Sequence, residues 1–115
     1  MKSFSRTERI SALLQRNLSD ILHKEIKDPR LEQITITHVK VSNDLKHARV
    51  FFCHSGKNRT KEEIIEGLNS AKGYMKRVLA KNLDLRYMPE LNFNYDESFD
   101  YAQRIDLELR KLNLG

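Results

Sequence analysis

Apolar residues recur along this chain with two different periods, and the changes between them divide it into elements. Ile10, Leu13, Leu14, Leu18, Ile21, Leu22 and Ile26 follow the three-and-four spacing of an amphipathic helix. Ser5-Arg6-Thr7-Glu8 precedes them as a capping box, and Asp28-Pro29 stops them, because the residue before a proline is pushed out of the helical region. A first helix is predicted from about Arg6 to Lys27. Ile34–Val41 is rich in β-branched residues and predicts a strand. Ser42-Asn43-Asp44 supplies turn residues, and Lys46–His54 predicts a second strand with Ala48, Val50 and Phe52 on one face. So short a connection makes an antiparallel hairpin.

The helical period returns from Thr60 to Leu83, with Ile64, Leu68, Ala71, Met75, Val78 and Leu79 on one face and Thr60 to Glu63 as a second capping box. Gly73 lies in the middle, where glycine costs about 1 kcal/mol relative to alanine. Ala71-Lys72-Gly73 is therefore read as an interruption that permits a bend or close approach by another backbone. The plainer alternative is tight helix–sheet packing. Strict alternation at Leu91, Phe93 and Tyr95 predicts a third strand, and Ala102, Ile105, Leu109 and Leu112 a last helix capped by Ser98. The order is helix, strand, strand, interrupted helix, strand, helix. It predicts an α+β domain with helices over one face of a three-stranded sheet and the other face more open.

Composition narrows the function. A chain of 115 residues with 39% apolar residues is expected to form one folded domain. A single cysteine, Cys53, excludes an internal disulfide. No run is long enough to span a membrane and no signal peptide is evident, so a cytoplasmic protein is expected. The net charge of +5 is uneven: residues 1–83 hold 17 Lys and Arg against 9 Asp and Glu, whereas residues 84–115 hold 4 against 7. That asymmetry points to a surface that faces a polyanion.

Catalysis has little support. His23, His38, His47 and His54 are scattered without metal-ligand spacing, and Cys53 and His54, adjacent on a strand, point to opposite faces. No metal or cofactor is expected. Phe51, Phe52 and Phe93 are expected in the core, which leaves Tyr87 as the candidate for stacking. Lys72, Lys76, Arg77 and Lys81 follow one another in ten residues that hold no acid. At about 100° per residue, Arg77 and Lys81 point away from the core and Lys72 and Lys76 lie nearer its border. The predicted RNA-binding set is these four, the backbone of Ala71 and Gly73, and Lys57, Arg59 and Arg86 as outer contributors. Such a set holds phosphates without base contacts. The competing class is an adaptor that docks its basic helix on an acidic protein, which the lack of an exposed apolar stripe on that helix disfavours.

The chain closely resembles the bacterial ribosome-binding factor A family over essentially its whole length. The resemblance is carried by Arg6-Thr7-Glu8-Arg9-Ile10 through Asp28-Pro29-Arg30-Leu31, by Val41-Ser42-Asn43-Asp44-Leu45 through Val50, and by Leu68-Asn69-Ser70-Ala71-Lys72-Gly73. It continues at Leu85–Phe93, Asp96-Glu97-Ser98 and Arg104-Ile105-Asp106. The resemblance implies a type II K-homology (KH) fold in which an Ala-x-Gly kink, here Ala71 and Gly73, replaces the usual Gly-x-x-Gly loop. It also implies a monomeric, non-enzymatic assembly factor that binds the free small ribosomal subunit (30S). The expected contact is 16S rRNA near its 5′-terminal helix, in support of late maturation, rRNA processing and cold adaptation. The sequence departs from many relatives in having Glu32 where they have glycine, and it ends at Gly115 without an extended charged tail.

Overall fold

The computed structural model describes residues 5–56, 58–98 and 109–112. Helix α1, Arg6–Lys24, begins at Ser5, whose hydroxyl accepts from the Glu8 amide at 3.2 Å. It buries Leu14, Leu18, Ile21 and Leu22. The helix ends three residues earlier than the sequence pattern predicts. Pro29 forces Asp28 into an extended conformation, and Asp28 caps a single 3-10 turn, Pro29–Leu31, whose Leu31 is buried. Asp28 also grips Arg30 at 2.8 Å. This hydrogen-bonded guanidinium holds the Asp28 carboxyl below the ordinary aspartate value of 3.8.

Strands β1, Ile34–Val41, and β2, His47–His54, pair antiparallel, as the hairpin reading expects. The register shifts between Ile36 and His38. This bulge at Thr37 brings Ile34 and Ile36 on one side of it, and Val39 and Val41 on the other, onto the same buried face. In the connecting turn Leu45 has φ 63°, held by its amide's bond to the Ser42 carbonyl at 2.9 Å.

Helix α2, Lys61–Asn82, carries the chain across to β3, Glu90–Tyr95, which lies parallel to β2. The sheet order is β1-β2-β3, so the hairpin's second strand is central and both neighbours are edges. Both helices pack on one face through a continuous core: Leu14, Leu18, Ile64, Leu68, Met75 and Leu79 meet Val39, Val50, Phe52 and Leu91. Neither α1 nor α2 packs on the opposite face, where Lys40, Arg49 and Asn92 are exposed. The last helix predicted by the sequence lies for the most part outside the described residues, although Glu97, Ser98 and residues 109–112 are helical.

Two expectations are corrected. The interruption expected at Ala71-Lys72-Gly73 is absent from the secondary structure: α2 is helical from Lys61 to Asn82, and no glycine among the described residues has positive φ. The apolar stripe runs through that position in one phase, from Leu68 to Met75 and Leu79, and its burial outweighs the roughly 1 kcal/mol propensity penalty of one glycine. Phe51, expected in the core with Phe52 and Phe93, instead lies half-buried on the open sheet face, because it alternates with Val50 and Phe52.

Candidate nucleic-acid interface

The Thr60 hydroxyl accepts from the Glu63 amide at 3.1 Å, which fixes the start of α2 and hence the phase of every side chain along it. That phase separates the four clustered cations into two stripes roughly 140° apart. Lys72 and Lys76 are half-buried and lean over β3. Their ammonium groups converge on one carboxylate: Lys72 Nζ stands 3.5 Å from Glu90 Oε1, and Lys76 Nζ donates to Glu90 Oε2 at 3.1 Å. The Lys76 hydrogen bond, with Lys72 beside it, holds the Glu90 carboxyl below the usual glutamate range. Lys72 Nζ also lies 5.8 Å from the centroid of the Phe93 ring.

Further along the same α2–β3 groove, Lys61 Nζ sits 4.0 Å from the Tyr95 ring centroid and 3.5 Å from Glu97. The groove therefore carries a row of lysines, each resting on an acidic side chain of the β3 segment. Sequence reasoning missed Lys61, Glu90 and Glu97 as part of this arrangement. Nothing in a one-dimensional pattern pairs residue 72 or 76 with residue 90. Only the parallel placement of β3 beside β2, under α2, brings them together.

Arg77 and Lys81 form the second stripe, exposed on the side of α2 that faces the end of α1. Arg77 lies 6.0 Å from the ring centroid of Tyr74, whose hydroxyl donates to Glu25 at 2.7 Å. That bond ties α2 to the C-cap of α1 and raises the Tyr74 phenol above its ordinary value. No carboxylate neutralises Arg77 or Lys81 among the described residues.

The outer contributors are dispersed. Arg59 precedes α2, pairs with Glu63 at 3.5 Å, and lies roughly 25 Å from Arg77 along the helix at 1.5 Å per residue. Arg86 is in the loop after α2, 5.5 Å from the ring centroid of Tyr87, which is 72% exposed. Lys57 lies outside the described residues.

The two glycines of α2 have opposite surroundings. Gly67 is buried where α2 crosses the 3-10 turn: a Cβ there would meet Leu31 Cδ2 at 3.1 Å and Arg30 Nε at 3.2 Å. Gly73 is exposed, and a Cβ built on it would meet nothing within 4 Å. Close packing thus accounts for Gly67 and not for Gly73. Gly73 is a bare patch of helical backbone between the Lys72–Lys76 stripe and the Arg77–Lys81 stripe, and Ala71 is half-buried against the core. Among the described residues no helix is long and apolar enough to cross a membrane, and no cluster of His, Cys, Asp and Glu could hold a metal ion.

The chain as a whole has relatives among known proteins. The family model described as ribosome-binding factor A matches residues 6–109. The ribosome-binding factor A of Desulfatibacillum aliphaticivorans is 49% identical over 112 residues, covering 97% of this chain and 91% of that protein. That of Syntrophobacter fumaroxidans is 43% identical and covers 96% of each chain. The crystal structure of ribosome-binding factor A from Thermus thermophilus superposes with a TM-score of 0.70 at 26% identity, over 77% of this chain and 93% of that one. A homology model of the Thermus thermophilus protein, fitted into a cryo-EM map of a 30S–RbfA complex, superposes at 0.62 with 26% identity over 76% and 91% of the two chains. Matched in family model, in sequence across nearly its whole length and in fold, this chain belongs to the ribosome-binding factor A family.

Proposed function

We propose that this protein is a monomeric, non-enzymatic assembly factor that binds the free small ribosomal subunit (30S) in the cytoplasm, gripping 16S rRNA through the α2–β3 groove. The observation that carries the reading is the Glu90 carboxylate held between Lys72 and Lys76 next to the bare backbone of Gly73. Two ammonium groups converge there on two oxygens of a single anion, which is the arrangement a phosphate requires. The groove lysines and Glu90 are exposed enough for exchange, so an rRNA phosphate displaces the carboxylate and releases counterions as it binds. Gly73 lets the sugar-phosphate chain approach the helix without meeting a methyl group. Arg77 and Lys81 extend the positive surface around the helix, and Tyr87 with Arg86 offers a stacking edge beyond it.

Family membership supports the ribosome as the partner, and the 30S–RbfA complex of the Thermus thermophilus relative supports the small subunit. The finer role is contact near the 5′-terminal helix of 16S rRNA, assisting late maturation and rRNA processing, including in the cold. Holding RNA by its backbone suits a factor that stabilises one rRNA conformation and then leaves. The test is co-sedimentation with purified free small subunits across a salt series. Lys72→Ala/Lys76→Ala is expected to weaken binding and to flatten the slope of log K against log salt by about 0.7, the value for losing the one phosphate contact that the two lysines share on a single strand. Arg77→Ala/Lys81→Ala should have a smaller effect of the same kind. Unchanged binding and slope in both variants would remove this surface from the interface.

A further inference from the structure

The face of the sheet turned away from the helices has a composition of its own. Register places Lys40 beside Arg49 and Arg49 beside Asn92, and one step along it places His38 beside Phe51 and Phe51 beside Asn94. These two rows are two residues apart, about 6.6 Å at strand rise. Lys40, Arg49, His38 and Asn92 are exposed, whereas Phe51 and Asn94 are half-buried. The Phe51 ring lies 5.3 Å from the Arg49 guanidinium carbon and 6.0 Å from the His38 ring, tilted 30° to it.

Among the described residues, the acids at the two ends of β3, Glu90 and Asp96 just after it, are engaged. Glu90 is drawn to Lys72 and Lys76, and Asp96 accepts from the Thr37 hydroxyl across the central strand. Among the described residues the patch between them is cationic, with one flat aromatic surface and two side-chain amides.

We propose that this open face is a second binding surface, for a single-stranded RNA segment, on the side of the sheet opposite the α2–β3 groove. Charge selects the occupant: adjacent Lys40 and Arg49 match phosphates, and a protein partner would meet no aliphatic patch to bury among the described residues. Phe51, flanked by His38 and Arg49, gives an unpaired base a π-face to stack on, and the Asn94 and Asn92 amides present donors and acceptors to its edge. A duplex, whose bases are already stacked, cannot use Phe51. The expected ligand is therefore an unpaired stretch. This surface stands or falls independently of the groove.

The test titrates the full-length protein into a short fluorescein-labelled single-stranded RNA of mixed sequence, read by anisotropy, with the same strand annealed to its complement as a comparator. Phe51→Ala should weaken single-strand binding by about fivefold or more, the lower end of what losing a base–aromatic stack costs. It should leave duplex binding unchanged. Lys40→Gln/Arg49→Gln, which spares the half-buried ring, should weaken both and flatten the salt dependence. The Phe51 factor should persist in a Lys72→Ala/Lys76→Ala background, which separates the two surfaces. Wild-type single-strand affinity in both folded variants would overturn the proposal. So would loss of small-subunit binding without loss of oligonucleotide binding, which would assign the face to a ribosomal protein.

Discussion

Replacing Gly73 with alanine probes the helix and the interface in one experiment. The residue lies in the interior of α2 with helical backbone, and a methyl group added there meets nothing within 4 Å. No clash opposes the substitution, so only helix propensity and unfolded-chain entropy act, and both favour alanine. The expected gain is about 1 kcal/mol. For a chain of this size that corresponds to a rise in Tm of about 4 °C, or a shift in urea midpoint of roughly 0.5 M at an unchanged m value. Urea unfolding followed by circular dichroism measures it directly. The same variant places a methyl group where the proposed phosphate chain approaches, so affinity for free small subunits should fall while stability rises. Stability and binding moving in opposite directions is the signature of a glycine retained for contact. A destabilised Gly73→Ala would refute the reasoning, because it would mean that residue 73 needs a conformation alanine resists and that α2 is bent there after all.

Gly67→Val should behave in the opposite way, losing about 1–3 kcal/mol of stability, since its side chain drives into Leu31 and Arg30; an unchanged urea midpoint would disprove tight packing at that crossing. Glu90→Gln leaves Lys72 and Lys76 without their internal anion and should tighten binding to small subunits at low salt, with a steeper salt dependence; weaker binding would make Glu90 a contact instead of a competitor. The Asp28 carboxyl, hydrogen-bonded to Arg30, titrates lower in the folded chain than in the unfolded one. Its contribution is complete above the ordinary value of 3.8 and is lost as pH falls through the lowered folded value. Asp28→Asn should therefore reduce the urea midpoint near neutrality and show a shallower decline between about pH 4 and pH 2 than the parent. Parallel pH profiles would contradict the pairing.

Much of the fold is legible in the sequence because hydrophobic period and turn chemistry agree. The Ser5 and Thr60 caps, the turn after Val41 and the alternation at Leu91 and Phe93 each mark an element where the structure has one. The bulge at Thr37 is not predicted from the sequence, although apolar positions 34, 36, 39 and 41 carry its trace in an alternation that slips by one. Ala71-Lys72-Gly73 is harder to read. A glycine in a helical pattern signals either a break or a bare surface, and only the neighbourhood of its missing Cβ tells which. Phe51 illustrates the same limit, because composition assigns phenylalanine to the interior, whereas strand phase puts it opposite Val50 and Phe52. The groove is legible by half. Helical spacing separates Lys72 and Lys76 from Arg77 and Lys81, but the acids that complete the groove arrive from a strand whose neighbour is a matter of topology.

If the lysines over β3 hold ribosomal RNA by its phosphates, removing them must uncover RNA. Chemical probing of 16S rRNA in free small subunits, with the parent protein and with Lys72→Ala/Lys76→Ala at saturating concentration, tests this most directly. The expected result is a set of protected backbone positions near the 5′-terminal helix, part of which is lost in the variant while the fold is intact. The same protections from both proteins, or none from the parent, would contradict it.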